Sequence, residues 1–87
     1  MTESRADLRD IAKAYTEVTR IARDLRPDDS FVKDLGVDSV AAIELMGVLE
    51  DRFGVSLIDN PRIFTADTVQ QLLDLINDLR SAVQHDE

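Results

Sequence analysis

Ser39 is the residue of this 87-residue chain whose setting could carry chemistry. It closes the run Asp34-Leu35-Gly36-Val37-Asp38-Ser39 and is followed by Val40. A serine hydroxyl becomes a nucleophile only beside a base that can take its proton. The one histidine, His85, stands in the C-terminal tail, and no Gly-x-Ser-x-Gly elbow is present. Ser39 is therefore expected to be no catalytic nucleophile, and the chain no enzyme. The plain alternative is that Ser39 only caps a helix, a common task for serine. The absence of cysteine excludes disulfides and thiolate metal sites. The acidic stretches do not spell a calcium loop either. A loop starting at Asp28 would put Lys33 where Gly is needed and Ser39 where a bidentate Glu is needed, and one starting at Asp59 puts Pro61 and Gln70 at ligand positions.

The elements that must position Ser39 are helical. Leu8, Ile11, Tyr15, Val18, Ala22 and Leu25 recur in steps of three and four, which predicts a first helix over about residues 4–25, stopped by Pro27. Tyr15 in that stripe reads as core. Residues 26–38 form a long connection with two apolar anchors, Phe31 and Leu35. Gly36 stands where the backbone needs a positive φ or a close approach, and Val37 turns back to the core. The second helix is expected at 39–53, with Asp38 or Ser39 as its N-cap and Gly54 as its stop. Ile43, Met46, Leu49 or Glu50, and Phe53 best fit its inward stripe, and a further apolar strip is left at the surface. Asn60-Pro61 opens a single short turn. Thr65 is expected to cap a last helix over about 66–83, carried by Val69, Leu72, Leu73, Ile76, Leu79 and Val83, before a frayed tail. No strand pattern or repeat is found. The fold class is all-α, a small bundle of three long helices and one short third helix, in a single domain over 1–87 with an ordered core of about 4–83.

The formal net charge is −8. Residues 1–37 hold eight acids against seven bases, while residues 38–87 hold ten against three. That balance speaks against nucleic acid and anionic membranes and for a basic partner meeting the second half. The N-terminus has no apolar core of a signal peptide and no run is long enough to span a bilayer, so a soluble, cytoplasmic monomer is expected.

Asp34-Leu35-Gly36-Val37-Asp38-Ser39-Val40 resembles the Asp-Leu-Gly-x-Asp-Ser-Leu signature of acyl carrier proteins, with Val40 in place of Leu. The Glu-Leu after Ile43, the Leu49-Glu50-Asp51-x-Phe53 ending and the Thr-Val before the last helix agree in order and spacing, so the likeness covers about residues 6–80. It implies the acyl-carrier four-helix fold and a 4′-phosphopantetheine arm, taken from coenzyme A and attached to Ser39 by a separate transferase, with acyl groups held as thioesters. A helix N-terminus suits a phosphodiester through its free N–H groups and positive dipole end. The likeness further implies that Asp34, Asp38, Glu44, Glu50, Asp51 and Asp59, with Val40, Gly47 and Val48, are read by basic partner surfaces. Such partners are the transferase, an acyl-loading ligase or acyltransferase, a ketosynthase, or tailoring enzymes. Ile43, Ile58 and Ile63 are candidates to line a groove for the arm or acyl chain. Gly47, Arg52, Arg62 and Phe64 depart from the usual pattern and favour a specialised pathway, such as polyketide or antibiotic assembly, over housekeeping fatty-acid synthesis. Two alternatives remain: an aminoacyl or peptidyl carrier of nonribosomal assembly, which the Asp-Ser context disfavours against Gly-Gly-x-Ser, and an unmodified helical interaction module.

Overall fold

The computed structural model describes residues 6–85, with side chains described through Ser81. The expected start of the first helix at residue 4, the Val83 side chain and the end of the tail lie outside these. Three α-helices follow in order, α1 at Leu8–Thr19, α2 at Ser39–Phe53 and α3 at Val69–His85, with a 3-10 helix at Pro61–Thr65 between the last two. The architecture is the expected all-helical bundle, its short third member being a 3-10 turn. Among the described residues the only strand-like feature is an isolated bridge between Ser30 and Thr68.

Helix α1 begins in a capping box. The Asp7 carboxylate accepts from the Arg9 and Asp10 amides, and Asp10 accepts from the Asp7 amide. It buries Ile11, Ala14 and Tyr15. It stops at Thr19, six residues short of the expected end at 25. Arg20 takes a left-handed backbone with φ 65, and its N–H bonds the Thr16 carbonyl at 2.7 Å. Two threonines supply competing partners there. Thr19 Oγ1 donates to the Tyr15 carbonyl and accepts from the Ile21 amide, while Thr16 Oγ1 donates to the Ile21 carbonyl. Side-chain hydroxyls of this kind offer the backbone an exit from the helix. Leu25 still reaches the core, but from an irregular segment, and Ala22 is exposed.

Helix α2 has the expected bounds, and of its expected inward stripe Leu49 is buried and Met46 and Phe53 pack against the core, while Ile43 does not and Leu45 takes the inner place. Leu45 and Leu49, four residues apart, are buried, while Ile43 is 57% exposed. At about 100° per residue Ile43 stands roughly 200° from Leu45, so both cannot face the core. Gly54, at φ 67, ends the helix with its N–H on the Glu50 carbonyl. The last helix starts later than expected because its cap is Thr68. Thr68 Oγ1 accepts from the Gln71 amide and Gln71 Oε1 accepts from the Thr68 and Asp67 amides, a capping box that needs its glutamine three residues on. Thr65 instead donates to the Arg62 carbonyl within the 3-10 turn.

The core gathers α1, α2 and α3 around Tyr15, Ile11, Leu49, Leu57, Val69, Leu75 and Ile76. Long-range hydrogen bonds close it. Asn77 pairs through its amide with both backbone groups of Ala6. The buried hydroxyl of Ser30 donates to Asp67, and the Phe31 amide donates to the Asp67 carbonyl, tying the long connection to the approach of α3.

Candidate functional site: the serine at the head of α2

The residues before Ser39 explain where it stands. Leu35 and Val37 are both buried, and Gly36 between them has φ 66, a backbone state that disfavours any side chain. The Val37 amide bonds the Phe31 carbonyl at 2.7 Å, and the Tyr15 hydroxyl donates to the Leu35 carbonyl at 3.2 Å. With these two plugs in the core, the chain emerges at Asp38 and turns into α2.

Asp38 is the N-cap. Its carboxylate accepts from the Ala41 amide at 2.9 Å and its carbonyl from the Ala42 amide at 2.8 Å. Ser39 is therefore the first helical residue, exposed, and relieved of the capping task. Among the described residues no hydrogen bond engages its hydroxyl. Beside it the amides of Ser39 and Val40 point out of the first turn without intrahelical partners, as the leading N–H groups of a helix must. A free hydroxyl on a rigid end, next to unpaired N–H groups at the positive pole of a helix, fits a phosphate-linked group. The nearby Asp38 carboxylate repels a phosphate and contributes nothing to holding one. The sole histidine is the last residue of α3, and the adjacent Asp38 carboxylate is taken up in capping α2. Among the described residues no cluster could hold a metal ion.

A cleft of about 130 Å³ opens one helical turn below Ser39, between α2, the long connection, the 3-10 helix and α3. Ala42 and Met46 line it from the Ser39 face of α2, with Val37, Ile63 and Leu72 opposite and Asp67 as its charged residue. Of the expected groove residues only Ile63 is part of this lining. Ile43 lies on the outer face of α2, and Ile58 is 44% exposed in the loop before the 3-10 helix. The residues that do line it, Phe31 and Val37 among them, read in sequence as ordinary core.

The acids expected to meet partners fall into separate places. Asp34 accepts from the Ser30 amide at 2.7 Å and so braces the connection. Asp38 and Val40, the latter 66% exposed, flank Ser39. Glu44, Gly47, Val48 and Asp51 border a shallow depression shared with the end of α1, and Asp59 lies apart in the loop before Pro61. Glu50 borders the same depression, but its Oε2 is committed: it accepts from the Leu57 amide at 2.6 Å and the Ile58 amide at 2.9 Å, fastening that loop to α2. Nothing stands within 4 Å of a Cβ built on Gly47. The two arginines that dilute the acidity are both engaged, Arg52 with Glu17 at 2.9 Å and Arg62 with Asp78 at 3.0 Å. These pairs span 35 and 16 positions, a separation at which local spacing carries no signal.

A hydroxyl displayed on a helix tip, with a small apolar cleft below, suits a carrier, a domain that offers a point of attachment and leaves the reactions to others. Residues 7–76 match the family described as "Phosphopantetheine attachment site". Over 74 residues the chain is 39% identical to the "Probable acyl carrier protein" of Caulobacter vibrioides, covering 85% of each protein. Over 51 residues it is 43% identical to the "Acyl carrier protein" of Thermosynechococcus vestitus, covering 59% of this chain and 62% of that one. The chain belongs to the phosphopantetheine-attachment family, among the acyl carrier proteins. It is a non-catalytic carrier whose prosthetic group is 4′-phosphopantetheine.

Proposed function

We propose that the whole chain is one carrier domain, that Ser39 is its attachment point, and that it presents acyl groups to partner enzymes of polyketide, fatty-acid-type or related natural-product assembly in the cytoplasm. The observation that carries this reading is the division of labour at the head of α2. Asp38 caps the helix, which leaves the Ser39 hydroxyl exposed and unused by the fold. In the modification, Ser39 Oγ forms a bond to phosphorus as a P–O bond of coenzyme A breaks, adenosine bisphosphate leaves, and the hydroxyl proton passes to the transferase. The arm supplies a terminal thiol on which an acyl group rides as a thioester.

The chain's own residues do the rest. Leu35, Val37 and Tyr15 hold Ser39 at a constant place, and α2 keeps it clear of the core. The cleft between Ala42, Met46 and Ile63 offers apolar cover for part of the arm or its cargo. Glu44, Asp51 and Asp59, exposed around α2, suit ketosynthases, acyltransferases, ligases or tailoring enzymes with basic docking patches, where charge sets orientation and encounter rate more than residence time.

Incubation with coenzyme A and a promiscuous phosphopantetheinyl transferase, read by intact mass, tests the assignment. The wild type gains the mass of one phosphopantetheine and Ser39→Ala gains nothing. An unchanged wild-type mass, under conditions that modify a control carrier, sinks the reading and leaves an unmodified interaction module.

A further inference from the structure

Phe64 leaves 85% of its surface open, more than any other large apolar residue among those described. It lies in the 3-10 helix next to Ile63, which lines the cleft below Ser39. Val32, 67% exposed, borders the same cleft from the long connection. At this exposure a phenylalanine contributes almost no burial to the fold, so its size has no structural cause within the chain.

We propose that Phe64 and Val32 are apolar anchors for the enzyme that modifies Ser39, a partner with an apolar pocket at its centre and cations at its rim. An enzyme that acts on cargo can work from the far end of an arm. One that acts on the hydroxyl itself must cover the surface around it. A footprint of about 800 Å² is a disc of radius about 16 Å, enough to take in a cleft one helical turn from Ser39 together with its borders. The charge around that cleft selects the partner. Asp67 lines it, and Asp34 and Asp38 are exposed close along the chain to its residues Val32 and Val37; against these three acids stands the exposed Lys33, while the nearby Arg62 is engaged by Asp78. Large side chains of this kind, ringed by polar groups, are where interface energy concentrates. An acidic protein surface or an anionic membrane would meet like charge. The inference rests on Ser39 being the attachment point.

The experiment varies the carrier concentration in the transferase reaction. Phe64→Ala is expected to raise the carrier KM about tenfold with kcat and melting temperature unchanged, Val32→Ala to raise it less, and Phe64→Trp to restore it. Ile21→Ala, an equally apolar change at a 51% exposed site beyond α1, is the control and leaves KM alone. A wild type that is modified normally, alongside Phe64→Ala with an unchanged KM, overturns this proposal and spares the carrier reading. A wild type that is never modified overturns both.

Discussion

The Asp38 carboxylate lies 2.9 Å from the Ala41 amide, so the acid next to Ser39, the proposed attachment residue, has a structural task whatever else it does. The two tasks are separable because asparagine caps a helix as well as aspartate does, yet carries no charge. Asp38→Ala should lower stability by about 1 kcal/mol in denaturant titration, through loss of the cap. Asp38→Asn should leave stability alone and slow modification of Ser39 if the transferase reads the charge. Equal modification rates for wild type and Asp38→Asn would confine Asp38 to capping. The same economy operates at Tyr15, whose ring fills the core while its hydroxyl fixes the Leu35 carbonyl just ahead of the site.

Between elements, Glu50 does for the loop after α2 what Asp38 does for the helix start. One carboxylate oxygen accepts from two successive amides, Leu57 and Ile58, and Leu57 is fully buried. Removing the acceptor leaves a buried N–H without a partner. Glu50→Ala is therefore expected to cost about 1–3 kcal/mol and to abolish amide-exchange protection at Leu57 and Ile58 while that of α1 persists. Unchanged protection at those two amides would refute the clamp. The loop it holds leads directly into the 3-10 helix, so Glu50 also bears on the position of Ile63 in the cleft.

The molecule as a whole is an acidic body with its charge skewed toward the half that contains α2 and α3. Of the three cations that interrupt this half, Arg52 and Arg62 are held by Glu17 and Asp78 and Arg80 lies over the Phe53 ring, which leaves Glu44, Asp51 and Asp59 to set the field around α2. Exposed charges interact across a screening length of about 10 Å at 0.1 M salt and about 3 Å at 1 M. The carrier KM of the transferase should accordingly rise with ionic strength while kcat holds, because encounter is steered and the chemical step is not. A KM that stays flat from low to high salt would show that the acidity serves solubility alone.

Much of this is legible in the sequence. The bounds of α2, the stop at Gly54, the Asn60-Pro61 start of the short turn and the left-handed Gly36 are local matters, decided by residues within a few positions of each other. Apolar periodicity found the three long helices for the same reason. It failed where two local signals competed, as when Thr16 and Thr19 ended α1 against a stripe that ran on to Leu25, or when Gln71 chose Thr68 over Thr65 as the cap of α3. It failed in part on α2, which is apolar on several sides: Leu49 is buried as the stripe requires, but only packing against α1 and the rest of the core could select Leu45 and leave Ile43 outside. The cleft, the Glu50 clamp and the pairing of Arg52 and Arg62 belong to tertiary structure alone. Each joins residues from separate elements, and a contact across such a span depends on how whole helices pack, which spacing along the chain does not encode.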